Sequence, residues 1–415
     1  MRNPSIFRRY ECRVCDSNNL SLVLSLGPTP LANAFIDKKF VEKEENYFPL
    51  DLYFCKDCTF LQLGHVVSPK ILFKNYVYIS STSSIFIKHF EDFADKIEKE
   101  FHLNSKSLII DIGSNDGILL FPFKKKNIRV LGIEPAKNIA KIAIKKNIET
   151  IPNYFGKKIA QKVIKNHGKA SIITATNVFA HIDNLRDVIE SVKLLMSKEG
   201  IFIIEVPYLI DFIEKKYFDL IYHEHLSYWS VYTLKMLFSR YDMVVFKIEK
   251  ISVHGGSIRV YIKKKKSNFK IDKSVKKFLK LEKKTKLDRI NTYIKFRYEI
   301  EENKINLLKL LLRLKKNDKT IAAYGAPAKG NTLLNYFNIG TDILNYIIDD
   351  SPWKQGLFTP GKRIPVKDIS YLKKNRVDYI LILAWNFAES IMQKNQMFKD
   401  SGGKFIIPAP FVKIV

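Results

Sequence analysis

Short apolar runs closed by glycine or polar punctuation recur along this 415-residue chain, and their spacing predicts its elements. Residues 107–112 form such a run and end at Gly113, the pattern of a strand buried on both faces. Strand-like segments follow at 130–133, 171–175 and 201–206, with helical spacing between them. That alternation predicts a parallel sheet covered by helices on both faces. Just upstream, residues 85–101 keep the apolar period of an amphipathic helix. From about Lys263, the residues Val275, Phe278, Leu279, Ile290, Tyr293, Ile294, Ile300 and Leu308 hold a roughly helical spacing inside heavily charged sequence, which predicts one or two long helices. A second alternating unit then starts. It reads as a strand at 320–324, a tight loop at 325–330, a helix at 331–337, and strands at 343–348, 379–383 and 404–407. The two units differ in sequence, so the echo is one of fold.

Composition narrows the class. At 46% hydrophobic and 13% aromatic, the chain can bury a sizeable core, which excludes intrinsic disorder and a disulfide-stapled miniprotein. Two or three domains are expected from its length. No apolar run approaches the roughly 20 residues that cross a bilayer, and residues 1–10 have no hydrophobic signal core, so no membrane span and a cytoplasmic location are expected. The formal charge is +28, yet 57 of the 70 basic residues are lysine and they are spread along the chain. Compositional bias explains this better than a nucleic-acid footprint, and no nucleic-acid partner is expected. Attraction of an anionic small substrate remains open.

All the cysteines lie in the first 58 residues, as two C-x2-C pairs: Cys12 with Cys15, and Cys55 with Cys58. In a reduced compartment such pairs are better explained by thiolates converging on one tetrahedral Zn²⁺ than by disulfides. With four protein ligands no position is left for water, so this zinc is expected to be structural.

The strand at 107–112 runs into Asp111-Ile112-Gly113-Ser114-Asn115-Asp116-Gly117. Gly113 and Gly117 let the backbone turn tightly and approach a ligand, and Glu134, at the end of the next strand, suits ribose hydroxyls. An acid opens the motif and Asn115 takes the middle place, a pattern that points to S-adenosylmethionine rather than NAD. An ordinary strand-to-helix turn is the competing reading.

Tyr222-His223-Glu224-His225-Leu226-Ser227-Tyr228 packs imidazoles, a carboxylate and phenols into seven residues. A metal site is conceivable, but general acid–base work is preferred, because histidine titrates near working pH and neighbouring Tyr and Glu can orient it. For His223 a structural role is as well supported as a functional one. His181 follows a strand end, where doubly wound sheets place ligands, as does Asn177. Two further stretches stand out: the one around His254-Gly255-Gly256, and Tyr324-Gly325-Ala326-Pro327-Ala328-Lys329-Gly330. The second opens a helix through small residues, so Lys329 and exposed amides suit a diphosphate as well as a packed turn with a solvated lysine would explain them.

Together these residues resemble the S-adenosylmethionine-dependent sugar C-methyltransferases, which methylate carbon 3, or in some members carbon 5, of nucleotide-linked 4-keto-6-deoxy sugars. The likeness runs from the cysteine pairs through 111–117, 177–181, 205–208, 221–225 and 253–257 to 324–335 and 349–356. It implies an α/β protein with a small zinc domain (1–75), a central Rossmann-like methyltransferase domain (76–262), and a helical connector with a C-terminal Rossmann-like domain (263–415) that helps hold the nucleotide-diphosphate sugar. By the same likeness His225 is the general base, with Tyr222 and Glu224 beside it, and Tyr76 and His181 line the sugar pocket. Asp111, Gly113, Asn115, Gly117, Glu134 and Asn177 would hold the cofactor, and Lys329, Tyr324 and His254 the substrate. A monomer or weak oligomer is expected. An O- or N-methyltransferase, an NAD-dependent nucleotide-sugar reductase and a zinc-bearing nucleic-acid binder are the alternatives. The sequence does not select the sugar, the ring carbon or the stereochemistry.

Overall fold

The computed structural model describes residues 5–73, 79–82 and 84–415. At its centre is a seven-stranded sheet in the order Met243–Ile251, Ser257–Lys264, Met196–Pro207, Ala170–Thr176, Leu108–Ile112, Arg129–Ile133, Thr150–Ile151. Every residue of Leu108–Ile112 is buried, as a strand sandwiched between two helix layers must be. Its neighbours Arg129–Ile133 and Ala170–Thr176 run parallel to it, on opposite sides. The chain order therefore reverses at this strand, and the crevice at its carboxyl end is where such sheets bind ligands. Ser257–Lys264 is antiparallel to both of its neighbours.

The strand Ser257–Lys264 carries the sheet past the point where the charge run begins. Lys263 is buried and its ammonium donates to the Ser267 carbonyl at 2.7 Å. The long-helix expectation holds further on, with helices at Lys273–Lys284 and Ile290–Lys316. The second buries Tyr293, Phe296, Ile300, Leu307, Leu311 and Leu314, a helical spacing along one face. Tyr293 packs on Phe54 and Phe296 on Phe212, with ring centroids 5.0 and 5.1 Å apart, so this helix ties the amino-terminal unit to the central one.

The carboxyl-terminal sheet has the order Val366–Lys367, Ile347–Ile348, Ile321–Tyr324, Tyr379–Ile382, Lys404–Ile407, Lys413–Ile414, all parallel but the last. The helix after its first strand is Ala328–Phe337, so it starts three residues before the expected 331 and takes in half of the predicted loop. The strand expected at 343–348 is reduced to Ile347–Ile348.

The two α/β units share one device. Glu134 accepts hydrogen bonds from the Asn115 and Ala136 amides at 2.9 and 2.8 Å, and Asp349 accepts from the Ala326 and Ser351 amides at 2.6 and 2.8 Å. In each unit an acid ending the second strand holds the loop that leaves the first.

The amino-terminal unit is an antiparallel sheet of Leu20–Thr29, Phe48–Cys55, Leu61–Leu63 and Ser227–Tyr228. Its edge strand, Ser227–Tyr228, comes from the central unit and follows directly on the His-Glu-His segment. Among the described residues no helix is long and apolar enough to cross a membrane.

Candidate active site

One cavity of about 700 Å³ opens where the three units meet. Asp111, Gly113, Asn115, Glu134 and Asn177 line one wall, and His181, Tyr222, Glu224 and His225 another. Lys329, with Ala328 and Asn386, closes it from the carboxyl-terminal unit.

The first wall is built by a tight turn. Gly113 has φ +70°, and a Cβ there would lie 2.4 Å from Val178 Cγ2, so neither conformation nor space admits a side chain. Asn115 is also left-handed, at φ 49°, a conformation asparagine tolerates. Burial pushes the Glu134 carboxyl up from its ordinary range, against the two amides that favour its charge. Asp111 is pushed up to about 7, first by burial and then by Glu134 and Glu205, while the Thr174 hydroxyl donates to it at 2.6 Å and opposes the shift. Asn177 holds φ 58°, and its buried Oδ1 has no hydrogen-bond partner among the described residues. A glycine turn that excludes a Cβ, a buried acid on the next strand and an orphaned amide oxygen suit a nucleoside-bearing cofactor such as S-adenosylmethionine.

In the second wall the backbone fixes the histidine. The Leu220 carbonyl can only accept, so the neutral His225 ring donates from Nδ1 at 2.8 Å and keeps its lone pair on Nε2. The Tyr222 hydroxyl donates to that Nε2 at 2.8 Å, with the two ring centroids 4.0 Å apart. His181 sits in the short 3₁₀ turn Phe179–His181 after strand Ala170–Thr176, its ring centroid 5.1 Å from that of His225. Glu224 is buried and takes a 2.6 Å hydrogen bond from Asn33 Nδ2. His223 turns away: it is 2% exposed, bonds the Phe48 carbonyl at 3.1 Å, and burial lowers its pKa to about 4. The structural reading of His223 is therefore the one observed.

On the third wall Lys329 is buried, with Nζ against Asn386 Oδ1 and 4.9 Å from the Trp385 ring centroid. Burial lowers its pKa to about 8, with Asp219 opposing. Asp219 is pushed up to about 6 by burial and accepts the Trp385 indole N–H at 2.6 Å. A cation held in so dry a place gains from an incoming anion.

Cys12, Cys15, Cys55 and Cys58 converge outside this cavity, with all four Sγ atoms within 4.8 Å of one another. Cys12 to Cys58 is 3.4 Å and Cys15 to Cys55 is 3.6 Å, near the roughly 3.8 Å edge of a tetrahedron with 2.3 Å Zn–S bonds. These thiols fit one zinc ion, closed to substrate. Arg13, between the first two cysteines, is buried, which lowers its pKa to about 10 while Asp183 opposes the shift.

Not every expected residue reaches the cavity. Gly117 is left-handed at φ 81° and shapes the turn behind it, near Ile148, and does not line the wall. Tyr324 is 2% exposed with its hydroxyl on the Asp350 carboxylate at 3.0 Å, and it does not line the cavity; burial raises its pKa. Tyr76 lies outside the described residues. The backbone of His254 is in the 3₁₀ turn Val253–Gly255, whose Gly255 carbonyl accepts from Tyr217 at 3.3 Å. Sequence reasoning missed Asn33, Tyr217 and Asp183, which line the cavity from loops, and Asn386, which lines it from the 3₁₀ turn Trp385–Phe387; none carries a motif of its own.

Residues 12–73 match a family model described as "Putative zinc binding domain", 86–247 one described as a methyltransferase domain, and 252–410 one described as a C-methyltransferase C-terminal domain. The second of these matches ends inside strand Met243–Ile251 and the third begins in the turn that follows it, before Ser257–Lys264, the adjacent strand of the same sheet. C-methyltransferase NovU of Streptomyces niveus is 33% identical over 405 residues, which are 98% of this chain and 96% of that protein. Among solved structures, an S-adenosylmethionine-dependent methyltransferase of Anabaena variabilis is 18% identical, covering 42% of this chain and 84% of its own, with a TM-score of 0.33. Magnesium protoporphyrin IX methyltransferase of Synechocystis is 13% identical, covering 43% and 83%, with a TM-score of 0.34.

Proposed function

The chain belongs to the C-methyltransferase family, with S-adenosylmethionine as its methyl donor and a zinc-binding amino-terminal domain, and from that membership we propose its substrate and mechanism. The substrate is a nucleotide-diphosphate 4-keto-6-deoxy sugar, methylated at a ring carbon, C3, after His225 and Tyr222 generate the enolate. The observation that carries this reading is the meeting of a cofactor turn, a Tyr222–His225 pair and a buried lysine on one cavity.

S-adenosylmethionine supplies, when bound, an electrophilic methyl group for in-line transfer. Gly113 and Asn177 shape its berth, and Glu134 takes ribose hydroxyls. A hydrogen next to a ketone is weakly acidic, so a carbon nucleophile needs a base and a donor to the developing oxyanion. His225 Nε2 is the basic atom, and the Tyr222 hydroxyl already bonded to it relays the proton. His181, one ring away, donates to the enolate oxygen. Glu224, oriented by Asn33, holds the sugar hydroxyls, and Lys329 holds the diphosphate. The walls align sugar carbon and methyl donor, which is the chief source of rate in such a displacement.

The experiment is deuterium exchange at C3 of a dTDP-4-keto-6-deoxy sugar in D₂O, with S-adenosylhomocysteine in place of the donor. Exchange by the wild-type protein, lost in His225→Ala, supports the reading. No exchange by the wild type, or equal exchange by both, contradicts it.

A further inference from the structure

The cysteine unit is stitched to the histidines by one side chain. Arg13 lies between Cys12 and Cys15, so its backbone is set by the thiolate cluster. Its amide donates to Gln62 Oε1 at 2.9 Å, and Gln62 is itself fully buried. From there the guanidinium spans two segments of the central unit. Nη1 donates to the Leu63 carbonyl at 2.7 Å and to that of Leu226 at 3.4 Å, and Nε donates to Asp183 Oδ1 at 3.0 Å. Leu226 follows His225 directly, and Asp183 is two residues beyond His181. The planar fork thus holds, in one rigid group, the backbone next to one imidazole and the carboxylate next to the other.

We propose that Arg13 is a positioning residue that sets the separation of His181 and His225, so that the metal-organised knuckle controls turnover without touching substrate. The proposal rests on the two-histidine site described above. The geometry separates this role from simple docking, because a second arginine docks the same knuckle elsewhere. Arg240 donates to the Val14 carbonyl and, at 2.6 Å, to Asp16, from the end of helix Val231–Ser239, and among the described residues its side-chain hydrogen bonds reach neither histidine segment. Buried, partnered and cationic, Arg13 costs desolvation that a merely structural contact need not incur.

The test compares Arg13→Met with Arg240→Met in the full chain, reading zinc content, kcat, KM and the imidazole resonances of His181 and His225. In Arg13→Met we expect one zinc per chain and KM within twofold of wild type, with kcat down at least tenfold and both imidazole resonances shifted. Arg240→Met should keep kcat within twofold and leave the resonances in place. Unshifted resonances with normal kcat in Arg13→Met would overturn the proposal, as would equal losses in both variants that track lost zinc. If Arg13→Met fails to fold, Asp183→Asn removes the charge partner at constant size and must give the same shifts. The resonances are read without substrate, so they test positioning even if His225→Ala were to retain turnover and remove the base assignment.

Discussion

The Tyr222 hydroxyl stands 2.8 Å from His225 Nε2, and the opposite ring nitrogen is committed to the Leu220 carbonyl. The pair therefore has one direction for proton transfer. Replacing the imidazole removes the acceptor, and removing the phenolic oxygen breaks the relay while leaving the acceptor. We expect His225→Ala to lose about 10²- to 10⁴-fold in kcat, and Tyr222→Phe a smaller factor, both with cofactor affinity within twofold. Steady-state kinetics with calorimetry of S-adenosylmethionine binding checks this, and undiminished kcat in His225→Ala contradicts it.

Gly113→Ala should fail in binding. The new methyl would sit 2.4 Å from Val178 Cγ2 on a backbone with φ +70°, so the turn must open. Calorimetry should show S-adenosylmethionine affinity at least tenfold weaker. An unchanged affinity would place the cofactor elsewhere.

Asp111 gives a pH dependence of stability. Its folded pKa, raised to about 7, exceeds the unfolded value, so the folded state binds the extra proton. Stability falls as pH rises between about 4 and about 7, and the loss is complete above that window. Asp111→Asn cannot ionise, yet its amide oxygen can still accept from Thr174. The Tm of the variant relative to wild type should thus rise from pH 5 to pH 8. A difference that is flat or falls with pH would refute the shift.

Lys329→Met keeps the length of the stem and deletes the charge. A charged hydrogen bond to the diphosphate is worth roughly 1.5 to 3 kcal/mol, so KM for the nucleotide sugar should rise about ten- to a hundredfold. The affinity for S-adenosylmethionine should not change. A KM equal to wild type would move the diphosphate away from this wall.

Much of the architecture was legible because it follows from period and punctuation. The apolar run into Gly113 and the paired cysteines each have a physical cause that local sequence records. Asn33 and Asp183 left no such trace, since they act through contacts with residues 191 and 170 positions away. Tyr324 shows the opposite error: it sits in a conspicuous motif, but its strand faces it toward Asp350 and away from the cavity. His223 and His225 differ by two residues yet face different units, one toward the Phe48 carbonyl and the other toward the cavity. Only the three-dimensional path of the loop decides between them.

The most direct measurement is the position of the transferred methyl. With ¹³CH₃-labelled S-adenosylmethionine and a nucleotide-linked 4-keto-6-deoxy sugar, we expect a product whose labelled methyl couples to a quaternary or tertiary ring carbon at C3. Label found on oxygen or nitrogen would contradict it.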